Sequence, residues 1–376
     1  MRITKPDQPY DVNWSTGVIS VTITVDAATG GTPLTQQRTS RPSTQADVAR
    51  LAGVSVATVS YVANGRRPDR KIAATPEVAE RVREAMRQLD YSPRRAGRVL
   101  ARNRTDLVAV VASTFNPWSL DLITEIEEAA AERGLGLIIL RYGHTGEAID
   151  RVESLLVDGL ADAALILGSS GFSAARAHRI GSRIPTLITG EWYRPRRFDV
   201  MVQHEAEAVR TAAEYLIRHK VRRPAFLAEP VDQSRHRSVA FATTFRQHGF
   251  PDSAITIADQ PPGLSGFLES RSRATELLDQ PRSRRPDAIL AHSDRAAISA
   301  AWAAMQLGIR VPDELKIIGI GNIVEGTEIN PALTTIGTDT SAYRPMLHRL
   351  FDRIDTPDQP TRTIAVPWRL IIRGTA

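Results

Sequence analysis

TQADVARLAGVSVATVSYVAN, residues Thr44 to Asn64, is the stretch on which the reading of this chain turns. Gln45 to Leu51 reads as a short helix with Val48, Ala49 and Ala52 on its inner side, and Gly53 then allows a sharp turn. Ser55 is placed to cap a second helix, in which Val59, Val62 and Ala63 recur at helical spacing. Two short helices joined through a glycine turn make a helix-turn-helix. The outward residues of the second helix, Val56, Ala57, Thr58 and Tyr61, are small or polar, which suits entry into a DNA major groove. A helical corner inside a core has the same two helices, so the neighbouring sequence has to decide.

Thr75 and Pro76 supply an N-cap and a first-turn proline. The helix they open carries an apolar stripe of Val78, Val82, Ala85, Met86 and Leu89, which can cover the first two helices. Tyr91 to Thr105, YSPRRAGRVLARNRT, then holds five arginines and no acid. From Ser43 to Thr105 there are thirteen Lys and Arg against six Asp and Glu, a net of +7, whereas the whole chain is +6. Charge gathered in one short segment is the electrostatic footprint of a phosphate-binding module. Taken alone, the arginine run also fits a solvated basic linker.

The 376 residues leave room for a sizeable core beside this module. Arginine supplies 44 of the 48 basic residues, a bias that a GC-rich genome also produces. With no cysteine, the chain has no disulfide, thiolate metal site or cysteine nucleophile, which suits a reducing cytosol. Residues 1–42 read as a mobile extension or a start placed too early. VISVTITV, Val18 to Val25, alternates like a strand, but its flanks are rich in Thr, Gly, Pro and Gln and the segment lacks the layout of a signal peptide. No stretch reaches the roughly 18 apolar residues of a membrane span.

From Asp106 the period changes. LVAVVAS, GLIIL, ADAALIL, PTLIT and DVMVQ alternate with amphipathic helices, and a second series runs through PAFLA, DAILA and KIIGI. Strand and helix in alternation predict parallel sheets covered on both faces, here as two similar lobes. Ligands of open parallel sheets sit at the carboxyl ends of the strands, so a cleft between the lobes is the expected binding place.

The order of these parts resembles the lactose-repressor (LacI/GalR) family of bacterial transcription regulators. The resemblance rests on DVARLAGVSVATVSYVANG (Asp47 to Gly65) and TPEVAERVREAMRQLDYSPRRAGRVLARNRT (Thr75 to Thr105). It continues through NPW (Asn116 to Trp118), HSDRAA around Ser293 and Asp294, NPALTTI (Asn330 to Ile336) and the closing PWRLIIRGT. It implies a helix-turn-helix domain at 43–90, a hinge helix at 91–105 and a two-lobed periplasmic-binding-protein-like core at 106–376. Lobe 1 would comprise about 106–203 and 337–365, and lobe 2 about 204–336 and 366–376. It further implies a homodimer on a roughly palindromic double-stranded operator, a sugar-like small effector between the lobes, and no cofactor, metal or membrane partner.

Carried over residue by residue, the DNA-contacting set is Thr44, Ser55, Val56, Ala57, Thr58, Ser60, Tyr61, Asn64, Arg67, Arg94, Arg95, Arg98 and Leu100, with Leu100 matching the family's minor-groove wedge. The effector set is Phe115, Asn116, Trp118, Arg237, Ser293, Asp294, Gly321 and Thr338. Ser293 also stands where an N-cap belongs, and Phe115, Asn116 and Trp118 equally suit core or turn duty. Several positions depart from the family pattern. Gly97 replaces a usual alanine in the hinge, at about 0.5–1 kcal/mol in a helix interior. Gly321, Thr338 and Ser293 stand where relatives carry an aspartate, a glutamine and an asparagine, so an ordinary hexose is in doubt, and a smaller, anionic or glycosidic ligand, or none, stays open.

A solute-binding protein of a transport system would share the lobes but has no use for the basic module. An enzyme would need a catalytic signature, and no P-loop, GxSxG, HExxH or GxGxxG after the first core strand is present. His144, His204, His236 and His292 are scattered. The expectation is therefore a cytoplasmic, non-enzymatic repressor.

Overall fold

The computed structural model describes the backbone of Val18–Val21 and residues 43–64, 74–91, 104–113, 115–143, 145–168, 172–228, 235–259 and 267–376. Two compact units result, Thr24–Asp106 and Leu107–Ala376 with the N-terminal strand. The expectations for Arg67, Arg94, Arg95, Arg98, Leu100 and most of the hinge lie outside the described residues, as does the side chain of Asn64.

The small unit contains α1 (Gln45–Ala52), α2 (Val56–Asn64) and α3 (Pro76–Gln88). Gly53, at φ +64°, ends α1 in the left-handed region, and its N–H bonds to the Ala49 carbonyl. The chain bends by 106° between the first two helices. Val48, Ala49, Ala52, Val59, Val82 and Ala85 form the buried core, with Val62, Met86 and Leu89 packed against it. The Ser43 hydroxyl donates to the Leu89 carbonyl at 2.8 Å, tying the entry of α1 to the end of α3.

The large unit opens with β1 (Val18–Val21) and continues through β2 (Leu107–Ala112), α4 (Pro117–Ala131), β3 (Gly136–Arg141), α5 (Gly146–Val157), β4 (Ala163–Ile166), α6 (Ala174–Gly181), β5 (Thr186–Thr189) and β6 (Asp199–Val202). The second series comprises α7 (Glu205–Arg218), β7 (Pro224–Leu227), α8 (Arg235–Gln247), β8 (Thr256–Ala258), α9 (Phe267–Leu278), β9 (Ala288–Ala291), α10 (Asp294–Gln306), β10 (Lys316–Ile320), α11 (Glu325–Glu328) and β11 (Thr334–Gly337). It closes with α12 (Arg344–Asp355), β12 (Thr363–Ala365) and β13 (Arg369–Ile371). The sequence reading set residues 1–42 outside the fold. Val18–Val21 instead pair parallel to β3, Val18 opposite Leu137 and Val21 opposite Leu140, where a strand-like alternation meets an open sheet edge.

One sheet has the order β1-β3-β2-β4-β5-β6-β12 and the other β13-β11-β10-β9-β7-β8. All pairings are parallel except β13 against β11. The central strands of each sheet are buried on both faces, which is why they read as near-continuous apolar runs. In β2, Leu107, Ala109 and Val111 face one core while Val108, Val110 and Ala112 face the other. Phe226 and Ala225 divide β7 between two cores in the same way. The chain passes between the sheets three times, at residues 203–204, 338–343 and 366–368.

The first sheet is stapled at the start of β6, beside the edge strand β12, by Asp199, which is 1% exposed. Its carboxylate accepts from the Arg362 backbone N–H at 2.6 Å and from Arg353 Nη1 at 3.2 Å, and Arg349 Nε lies 3.2 Å away. Two guanidiniums of α12 thus share one buried counter-ion. Asp199→Ala should cost about 3–5 kcal/mol of core stability in urea unfolding, because it strands buried positive charge; a loss under about 1 kcal/mol, the range of an exposed pair, would contradict this role.

Candidate functional site

On α2, Ser55 and Val56 are exposed, Val56 at 47%, Ala57 is exposed, and Ser60 and Tyr61 are half-buried. The Ser55 hydroxyl accepts from the Thr58 N–H at 3.1 Å and lies 2.9 Å from the Thr58 hydroxyl, so Ser55 caps the helix start and Thr58 buttresses the cap. Thr44 makes a reciprocal capping box with Asp47: it receives the Asp47 N–H at 3.3 Å, and its own N–H donates to the Asp47 carboxylate at 2.9 Å. Capped in this way, α2 presents an outer face of small and polar side chains at a fixed angle to α1.

In the large unit, the effector candidates gather at the carboxyl ends of the strands, though not in the roles expected of each. Asn116 is the N-cap of α4, accepting from the Ser119 N–H at 2.9 Å and donating its own N–H to the Ser119 hydroxyl at 2.8 Å. Phe115 packs against the first lobe's core. Trp118 reaches the cores of both lobes, and its ring meets Trp368 and Tyr343 nearly edge-on at centroid distances of 5.9 and 6.2 Å. The Tyr343 hydroxyl oxygen accepts from Trp118 Nε1 at 3.2 Å and Trp368 Nε1 at 3.0 Å, with the Gln203 amide at 3.5 Å. The two indole N–H groups thus converge on one phenolic oxygen, with the Gln203 amide at the limit of hydrogen-bond reach. Gln203, Tyr343 and Trp368 belong to the three different crossings.

Arg237 stands beside this cluster. Its Nε donates to Glu205 Oε2 at 2.7 Å, its Nη1 to the His292 carbonyl at 2.7 Å, and its guanidinium carbon lies 5.9 Å from the centre of the Trp368 ring. His236 Nε2 lies 2.8 Å from the same Glu205 oxygen. Burial opposes charge on Glu205, but Arg237 and the hydrogen bonds from His236 and Arg237 outweigh it and hold the carboxyl at about 2. The Glu205 N–H donates to Glu191 Oε1 at 2.7 Å, so a carboxylate from the loop after β5 caps α7, whose own cap residue His204 makes no side-chain capping bond.

Ser293 caps α10, accepting from the Ala296 N–H at 3.3 Å. Asp294, expected to touch an effector, turns into the second lobe instead: it is 1% exposed, accepts from the Thr335 hydroxyl, and takes the Ile323 N–H at 2.9 Å. Gly321 has φ +136°, a conformation strained for any L side chain, and a Cβ there would sit 3.3 Å from Asp294 Oδ2. An aspartate at this position would therefore need a different local backbone. Thr338 presents its carbonyl to Asn322 Nδ2 at 3.1 Å. Glu191, Gln203, Glu205, Tyr343 and Trp368 were missed in the sequence, since no local spacing links residues from four separate segments.

Among the described residues no group of three or more His, Asp or Glu is placed to hold a metal ion, and no single helix is long and apolar enough to cross a membrane. A capped helix-turn-helix in front of a two-lobed parallel-sheet body defines the class: a DNA-binding regulator with a ligand-binding-protein-like core. Residues 44–94 match the family described as bacterial regulatory proteins, lacI family, and residues 213–376 match the periplasmic binding protein-like domain. The chain thus carries a lacI-family DNA-binding domain joined to a periplasmic binding protein-like domain. It is 26% identical over 347 residues to the ribose operon repressor of Haemophilus influenzae, covering 88% of this chain and 98% of that protein. It is 27% identical over 337 residues to the HTH-type transcriptional repressor PurR of Proteus mirabilis, covering 87% and 95%. The fold is shared with the lac repressor dimer bound to operator and the anti-inducer ONPF (TM-score 0.73, 21% identity, 89% of this chain and 99% of that one). It is also shared with a complex of the transcriptional regulator CelR and cellobiose (TM-score 0.61, 24% identity, 89% and 100%).

Asp294 gives a pH test. Burial raises it to about 6 against an ordinary 3.8, although Thr335 and the Ile323 N–H favour its charge. As pH rises, the unfolded chain ionises first, so the native state loses stability between about pH 4 and 6, by an amount of order 3 kcal/mol, and the loss is complete above that window. Asp294→Asn should remove this part of the pH dependence in denaturant unfolding. A wild-type-minus-variant difference that stays constant from pH 4 to 7 would contradict it.

Proposed function

We propose that the chain is a cytoplasmic, homodimeric transcriptional repressor that reads a roughly palindromic operator and whose affinity is set by a small sugar-like molecule held between its lobes. The observation that carries this is the pairing, in one chain, of a presented α2 with a body whose three interlobe crossings are bound into one cluster. A molecule bound at those crossings has differential contacts with two lobe arrangements, which is what linkage to DNA affinity requires. The reading assigns no catalytic step and no cofactor.

Val56 and Ala57 offer only apolar contacts, such as with thymine methyls, and Tyr61 can donate to a base edge or a phosphate. Thr44, Ser55, Thr58, Ser60, Asn64 and Arg67 position the module on the backbone, and Arg94, Arg95, Arg98 and Leu100 act in the hinge. Two modules are needed because each reads half a site. An exposed apolar stripe on α9 and α10, Leu268 at 66%, Trp302 at 43% and Met305 at 70%, supports self-association. The effector assignment of Phe115, Asn116, Trp118, Ser293, Gly321 and Thr338 narrows to the crossings and Arg237, with Asn116 and Ser293 acting as caps.

Footprinting of genomic DNA with the purified chain should give two-fold-symmetric protected sites. On such a site Arg67→Ala should weaken all sequences alike and reduce the slope of log affinity against log salt by about one. Absence of any preferred duplex at modest ionic strength would refute the reading, and a loss confined to one operator sequence would refute the role of Arg67.

A further inference from the structure

We propose that Glu205 makes the cleft selective for an uncharged, hydroxyl-rich effector by pairing with Arg237 before any ligand arrives. This deepens, and rests on, the reading of the cleft as an effector site. The sequence alone left an anionic ligand open, because an arginine at a strand-end cleft suits phosphate or carboxylate. The structure removes that choice.

Arg237 is held on three sides within the protein. Glu205 takes Nε, the His292 carbonyl takes Nη1, and the Trp368 ring lies under the guanidinium plane. Arg237 and Glu205 side chains are 18% and 14% exposed, so solvent screens the pair only partly. The second carboxylate, Glu191, meets the Glu205 N–H at 2.7 Å, while His236 Nε2 lies 2.8 Å from Glu205 Oε2, so Glu205 is engaged by Arg237 and His236 and Glu191 stands beside them. An entering anion would have to displace Glu205 from the guanidinium or rest beside the Glu191 carboxylate. A pair of neighbouring hydroxyls meets neither obstacle. Each hydroxyl donates and accepts, so it can take guanidinium donors and carboxylate acceptors side by side while the ion pair stays intact. Glu205 is thus a positioning residue for Arg237 and the group that sets the charge class of the ligand.

Inorganic phosphate is the probe, followed by 31P line broadening and titration calorimetry on the full-length chain. Wild type should show no saturable binding. Glu205→Gln, which keeps the shape and removes the charge, should bind phosphate at least roughly tenfold more tightly, and adding Arg237→Met to that variant should abolish the gain. Saturable phosphate binding by wild type that Arg237→Met removes, or no gain in folded Glu205→Gln, would overturn the proposal. Glu191→Gln, which leaves the pair untouched, should still exclude phosphate; binding there would assign the exclusion to Glu191 instead and overturn the role given to Glu205. A failure of the wild type to bind any operator would sink the repressor reading without altering these titrations.

Discussion

The body of this protein depends on a single phenolic oxygen. Two lobes joined by three chain crossings would slide or splay unless the crossings were fixed to one another, and Tyr343 does this by taking both indole N–H groups and facing the Gln203 amide. Tyr343 is fully buried and Trp368 nearly so, so each of these polar groups would be costly to leave unpaired. The cluster therefore tolerates a small set of discrete arrangements, not a continuum. Trp118 extends it from the first turn of α4 into the cores of both lobes, which makes a side chain expected to stack on a ligand part of the joint between lobes.

Charge is handled differently at the two ends of the first sheet. At the amino end of β6, Asp199 serves two arginines of α12 and leaves a positive excess inside the lobe. At the crossings, Glu205 is shared between Arg237 and His236, and Glu191 takes its backbone N–H. The first arrangement fixes a helix to a sheet edge; the second shapes what the cleft accepts. Both follow from the same rule, that a buried charge is kept only where partners satisfy it.

Much of the fold was legible in sequence because it is carried by periodicity. LVAVVAS and KIIGI read as buried strands since both faces of the central strands are covered, and Ser55 and Thr75 announced two helix starts by their capping chemistry. The helix at Arg344–Asp355 was not singled out, although Met346, Leu347, Leu350 and Phe351 carry helical spacing. The site was less legible. Arg237 was found through family resemblance, but its partner Glu205 lies on another helix, and Asp294 looked like a ligand contact while its carboxylate is used inside the lobe. Pairings of this kind are fixed by tertiary packing and leave no mark in local spacing. Gly321 illustrates the converse: its missing aspartate looked like a lost contact and is a requirement of a backbone at φ +136°.

The central claim is that the arrangement of the lobes about these crossings and the hold on DNA are one linked equilibrium. The absence of cysteine lets two introduced ones, Glu147→Cys on α5 and Gln247→Cys on α8, carry spin labels without background. The interlobe distance distribution, measured by pulsed electron resonance on the free protein and on the same protein saturated with its footprinted operator, should shift and narrow on DNA. The same distribution in both states, with operator demonstrably bound, would contradict the account.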